Sequence, residues 1–159
     1  MKKIIAVLTA LIIICFSFSA YAANPGTISS GDAGTAWDLI VVRKPETKNS
    51  ATIKKTYGIT GTGKNGVSVA YYKFNGSNYV ALKNSNGAIY QSTVGTAGVF
   101  YKQVNLSEGH NKFAVRAEHP NGAYQVVYFD INVLNQQIIN NVTGFSNGIQ
   151  SLYNGWMNW

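Results

Sequence analysis

The most regular alternation of apolar and polar residues runs from Gly98 to Val133. Phe100, Val104 and Leu106 stand at even spacing on one face. Only Lys102 interrupts that face, and its long stem can lie on apolar surface while the ammonium reaches water. Ser107-Glu108-Gly109-His110-Asn111 then forms a polar turn in which Gly109 and Asn111 can take a positive φ. Phe113, Val115 and Ala117 alternate with Lys112, Ala114, Arg116 and Glu118, the period of a half-buried strand. Pro120-Asn121-Gly122 predicts a reversal, because proline presets its own φ and glycine tolerates the reversed one. The chain returns as Tyr124 to Val133, with Val127, Phe129, Ile131 and Val133 on one face and Tyr124, Val126 and Tyr128 on the other. Strand, turn, strand, turn, strand predicts an antiparallel all-β domain.

The upstream pattern is of the same kind. Trp37 to Val42 reads as a first strand, with Leu39 and Val41 on one face and Ile40 and Val42 on the other. Arg43-Lys44-Pro45 ends it, since proline cannot donate to a ladder. Thr52 to Thr62 reads as a second strand carrying Ile53, Tyr57 and Ile59, and Lys64-Asn65-Gly66 as a tight turn. In Val67 to Phe74, Val67, Val69 and Tyr71 point inward and Ser68, Ala70, Tyr72 and Phe74 outward. Turns at Asn75–Asn78 and Asn84–Gly87 lead into short strands at Tyr79–Leu82 and Ala88–Val94. No helix is predicted before residue 134. The expected fold is an antiparallel β-sandwich of about seven strands over residues 36–134.

The run G-x-F-x3-V-x-L-x-E-G-x-N-x-F-x-V-x-A from Gly98 to Ala117, followed by Asn121-Gly122 and a long alternating strand, resembles the second half of a bacterial immunoglobulin-like domain. Ile59-Thr60-Gly61-Thr62-Gly63 and Gly66-Val67-Ser68-Val69 are similar to its first half. The likeness is to the type appended to secreted glycoside hydrolases and surface proteins. It implies an immunoglobulin-like sandwich and a non-enzymatic role in binding, adhesion or scaffolding at the cell surface. That family carries no catalytic residues, so none are transferred. Asn75 to Ala97 is longer than the family pattern and leaves the strand order there open.

The two ends of the chain have a different composition. Met1-Lys2-Lys3 is a basic start, Ile4 to Phe18 an apolar run, and Ala20-Tyr21-Ala22 has small residues at −3 and −1. Residues 1–22 are therefore expected to be a secretory signal peptide cleaved after Ala22, placing the protein outside the cell or in its envelope. The run is short for an anchor of about 20 residues, and Cys15, preceded by Ile14, belongs to the discarded leader rather than to a lipid attachment site. Lys2 and Lys3 leave with the leader, so 11 of the 13 basic residues oppose 6 acidic ones, a net charge of +5. The mature chain keeps no cysteine, so its stability rests on a core rather than on disulfides. The basic residues are spread out, with Arg43-Lys44 and Lys54-Lys55 the closest to clusters, and nothing points to a nucleic-acid partner. Residues 23–35, mostly Gly, Ser, Thr and Ala with one Asn and one Pro, read as a flexible arm.

Beyond Asp130 no side chain is charged. Ile138, Val142, Phe145, Ile149, Leu152, Trp156 and Trp159 follow one another at steps of 4, 3, 4, 3, 4 and 3, which predicts an amphipathic helix over residues 135–159. Gly144, Gly148 and Gly155 each cost about 1 kcal/mol of helix stability relative to alanine. Such a helix needs cover. One surface is its own domain, where Tyr72, Phe74, Tyr124, Val126 and Tyr128 point outward. A second is another copy, through self-association of residues 138–159, helped by Gly144-x3-Gly148. A third, ranked last, is a membrane, with Phe145, Ile149, Leu152, Trp156 and Trp159 as the contacts, although the polar face lacks Lys and Arg.

Candidate chemistry is sparse. Glu108, His110, Glu118 and His119 are the best acid–base or metal candidates, yet they sit at opposite ends of one strand and cannot share a site. Glu108 and Glu118 read as solvated turn residues. No cofactor motif, serine triad signature or glycine-rich phosphate loop is present, and no enzyme activity is expected. The tyrosines are the remaining signal. Tyr72, Phe74, Tyr101, Tyr124 and Tyr128 are candidates either for a glycan-binding face, as in a carbohydrate-binding module, or for the face on which the helix docks.

Overall fold

A computed structural model describes residues 24–157. The expected signal peptide and Trp159 lie outside the described residues. In chain order the strands are β1 (Thr27–Ile28), β2 (Ile40–Lys44), β3 (Asn49–Thr52), β4 (Thr56–Gly63), β5 (Ser68–Phe74), β6 (Tyr79–Ala81), β7 (Gln91–Thr93), β8 (Val99–Asn105), β9 (Gly109–Glu118) and β10 (Tyr124–Val133), followed by helix α1 (Gln136–Trp156). The ten strands among the described residues exceed the expected seven because β1, β3, β6 and β7 are pieces of two to four residues.

The β9–β10 hairpin is the frame on which the larger sheet is built. It pairs over its full length, from Tyr124 opposite Glu118 to Val133 opposite Gly109. Gly109 and Gly122 take positive φ values of 81° and 87°, as the turns require. Asn111 does not. Its buried side-chain amide instead donates to the carbonyls of Ser107, Gly109 and Ile131, and its oxygen accepts from the Ser107 N–H. The larger sheet runs β1-β6-β5-β9-β10-β3, and the smaller β2-β4-β8. β7 and β6 lie end to end along one side of β5, pairing Ser68–Ala70 and Tyr72–Phe74 respectively, which settles the order left open in residues 75–97.

One ladder departs from the expected antiparallel plan. β3 pairs with β10 in parallel, Asn49 opposite Asp130 through Thr52 opposite Val133. The expected second strand, Thr52 to Thr62, starts late: Thr56–Gly63 lies in the smaller sheet, Thr52 ends the unexpected strand Asn49–Thr52 in the larger one, and the exposed Ile53, Lys54 and Lys55 form the crossing. The first strand also starts late. Leu39 and Ile40 are both buried, against the alternation, because their N–H groups donate to the Gln125 side-chain oxygen at 2.8 and 2.9 Å rather than to a ladder. Trp37 is left exposed.

The core lies between the sheets. Val67, Val69, Tyr71, Phe113, Val115, Ala117, Phe129, Ile131 and Val133 from the larger sheet and its turns meet Ile59, Phe100, Val104 and Leu106 from the smaller sheet and its flank. Lys102 does run along this boundary, its ammonium 3.4 Å from the centre of the Tyr90 ring. Gly61 is obligatory for close packing, since a Cβ there would fall 2.2 Å from Phe100 Cζ and 2.5 Å from the Val41 carbonyl.

The outer face of the larger sheet was expected to be wet or covered by the helix. It is covered by the N-terminal segment instead. Residues 24–36, read from composition as an arm, lie across the sheet. Thr27 and Ile28 pair with β6, the Thr35 and Ala36 N–H groups donate to the Tyr124 carbonyl, and Ile28 is buried among Ala70, Tyr72, Tyr79, Ala81, Ala114 and Val126. Composition missed this because the segment holds one buried large apolar side chain and is otherwise anchored by hydrogen bonds to residues distant in the chain.

α1 forms where the apolar spacing placed it, capped by the Asn135 side chain, which accepts from the Gln137 N–H at 2.8 Å. It does not dock on the aromatic face. Val142, Phe145, Ile149, Leu152 and Trp156 are between 52% and 84% exposed.

Candidate functional site

The five aromatic candidates divide. Tyr72, Phe74, Tyr124 and Tyr128 gather on the outer face of the larger sheet, and the three tyrosine hydroxyls are used internally. The fully buried Tyr72 hydroxyl donates to the Pro25 carbonyl at 2.8 Å, and burial pushes its pKa up to about 12. The Tyr128 hydroxyl reaches the Ser29 and Asp32 carbonyls at 3.0 and 2.9 Å. The Tyr124 hydroxyl donates to Asp32 Oδ1 at 3.2 Å, and the Asp32 charge raises its pKa. Tyr79 bridges the group, its ring centroid 5.1 Å from Phe74 and 5.0 Å from Tyr128. A sugar cannot stack on Tyr72 here, and no helix can dock without displacing residues 24–36. Tyr72 is thereby withdrawn from either role, while Phe74, Tyr124 and Tyr128 remain half-buried.

Beneath the same segment lies a polar network that sequence reasoning missed. Arg116 and Glu118 are both buried, so Glu118 is not a solvated turn residue. The Arg116 guanidinium donates to the Glu118 carboxylate and, at 2.7 Å, to Asn24 Oδ1, and it lies 4.4 Å from the centre of the Tyr124 ring. Asn24 also donates to Ser68 Oγ and Gln91 Oε1. Charge-assisted bonds of this kind hold a buried pair in place. The only sequence signal was Arg and Glu two residues apart on one strand face, which read equally well as solvent-facing.

The other titratable candidates remain apart. Glu108 pairs at 3.8 Å with Lys55 across exposed surface. His110 Nδ1 stands 2.8 Å from Asp130 Oδ2, while His119 lies in the turn beyond the far end of β9. Among the described residues no three His, Cys, Asp or Glu side chains gather in a metal-binding group.

Tyr101 lies on the other sheet. Its neighbours Phe100 and Val104 face the core, so alternation turns Tyr101 and Gln103 to the outer face of the smaller sheet. There Tyr101 is 56% exposed and stands opposite Thr60 of β4. An added Cβ on Gly58 would lie 2.9 Å from Tyr101 Cε2, so the ring rests against bare backbone. A groove of about 850 Å³ opens beside it, lined by Lys44, Glu46, Asn49, Lys54, Tyr57 and Gln103 among others. Tyr57 and Gly58 escaped notice because the sequence does not show which side of the sheet each faces.

The stripe on α1 is the remaining surface. Phe145, Ile149, Leu152 and Trp156 share one exposed side, and an added Cβ on Gly144 or Gly148 would meet nothing within 4 Å. Among the described residues no helix is long and apolar enough to cross a membrane. Compared with protein-family models and with curated proteins, the chain matches none.

Proposed function

We propose that this chain is an exported, non-enzymatic scaffolding module with an immunoglobulin-like sandwich, and that it associates with a second copy of itself through α1. The observation that carries the reading is the uncovered, uncharged stripe of Val142, Phe145, Ile149, Leu152 and Trp156 on a helix held outside the sandwich. Steps of three and four residues match the 3.5-residue period at which two helices wind about each other. No like charges oppose the approach of an identical helix, and Gly144 and Gly148 let it come close. Burying five such side chains per helix contributes about 1.5–3 kcal/mol each. For two helices this gain is of the same order as the association cost of roughly 4–15 kcal/mol. Support for the immunoglobulin-like reading is the division of the long strands between two facing sheets, with β2, β4 and β8 in one and β5, β9 and β10 side by side in the other.

Light scattering on the eluting mature protein tests the association. The expected result is a dimer that becomes a monomer on Ile149→Asp or Leu152→Asp with an unchanged near-ultraviolet spectrum. A wild-type chain that runs as a monomer at high micromolar concentration removes the self-association. Dye release from anionic vesicles by the wild type, absent in the same variants, would instead assign the stripe to a lipid surface.

A further inference from the structure

We infer that the outer face of the smaller sheet holds a polysaccharide-binding site built around Tyr101, with a preference for acidic sugars. Tyr101 and Thr60 line both the groove described above and a second one of about 460 Å³ that extends to Arg43 and Val99. The two grooves therefore adjoin at Tyr101 and Thr60, and an extended chain lying along both as one channel would cross the tyrosine ring.

The ring is held as a platform. Gly58 seats one side of it, Thr60 stands opposite across the ladder, and the hydroxyl lies 3.4 Å from Gln103 Oε1. The free side presents the electron-rich face of an aromatic ring, which attracts the slightly positive C–H face of a pyranose. Thr60, Asn49 and Gln103 supply the donors and acceptors that sugar hydroxyls need. Charge selects among glycans. Arg43, Lys44 and Lys54 line the channel against one carboxylate, Glu46, and none of the three cations forms an ion pair with a described residue. A uronate carboxyl meets those cations, whereas a neutral sugar gains only the ring and the hydroxyl contacts. The site does not involve α1, so it stands or falls independently of self-association.

Affinity electrophoresis of the full mature protein through gels containing polygalacturonate or neutral xylan tests the assignment. Polygalacturonate is expected to retard the protein more than xylan does. Tyr101→Ala should weaken that retardation at least tenfold and Tyr101→Phe less than twofold, because the ring and not the hydroxyl is the platform. Lys54→Ala should weaken it several-fold and lessen its salt dependence. Lys83→Ala, which removes the same charge from an exposed site outside the channel, should change nothing. The inference is overturned if polygalacturonate fails to retard the wild type or if xylan retards it more. It is also overturned if Lys83→Ala and Lys54→Ala act alike, or if a folded Tyr101→Ala binds as the wild type does.

Discussion

Arg116→Ala should be the most damaging single polar substitution in the sandwich. The guanidinium is the partner of the buried Glu118 carboxylate, holds Asn24 at 2.7 Å, and packs on the Tyr124 ring. With side-chain exposures of 9% and 5%, water is poorly placed to take over either role. Removing one member of a buried pair leaves the other charge uncompensated, a loss of about 3–5 kcal/mol. Replacing both with apolar residues of similar volume, Arg116→Met with Glu118→Leu, removes the desolvation cost of both charges and should recover most of that loss. Urea unfolding followed by tyrosine near-ultraviolet circular dichroism reads the difference. At a denaturant slope of roughly 1–3 kcal/mol per molar, a 4 kcal/mol loss moves the midpoint by about 2 M. Limited proteolysis should show cleavage within residues 24–36 in Arg116→Ala before the sandwich is cut, because Asn24 loses its anchor. A loss below about 1 kcal/mol, or a double variant no more stable than the single one, would refute the reasoning.

Two other substitutions probe the packing. Gly61→Ala places a methyl group 2.2 Å from Phe100 Cζ and 2.5 Å from a backbone oxygen that cannot move cheaply. A destabilisation of about 3 kcal/mol is expected in the same urea assay. Tyr72 makes stability depend on alkaline pH. Burial raises its pKa to about 12, so the folded state holds the phenolic proton more tightly than the unfolded chain. That contribution is whole below the unfolded value of about 10 and is lost as pH rises toward 12, at ~1.4 kcal/mol per pH unit. Tyr72→Phe should flatten the slope of the urea midpoint against pH in this window. An unchanged slope would show that the hydroxyl titrates as if exposed.

The hairpin from Lys112 to Val133 could be read directly from residues, because strand alternation and its Gly122 turn are local properties, whereas Gly109 to Asn111, read as turn, extend the strand. The apolar stripe of α1 could be read for the same reason, since steps of three and four residues need no knowledge of the rest of the chain. Both faces of β9 looked similarly clear, yet only one was assigned correctly. Alternation says that Ala114, Arg116 and Glu118 share a side, but it does not say what lies over that side. Residues 24–36 lie over it, more than 70 positions earlier in the chain, and they convert a solvent face into a second buried layer.

The groove beside Tyr101 escaped sequence reading in the same way. Tyr101, Gly58 and Thr60 meet only because β4 and β8 pair in one register, and a shift of one residue would turn the ring into the core. By itself, the sequence determined the long strands from Val67 onward, the main turns and an uncharged amphipathic tail, all set by spacing and backbone preference over a few residues. Tertiary structure alone decided that the N-terminal segment covers the aromatic face and that the tail is left uncovered. The N-terminal segment adds backbone and side-chain hydrogen bonds to the sheet at Thr27–Ile28 and Thr35–Ala36, contacts between residues far apart in the chain that no local pattern records.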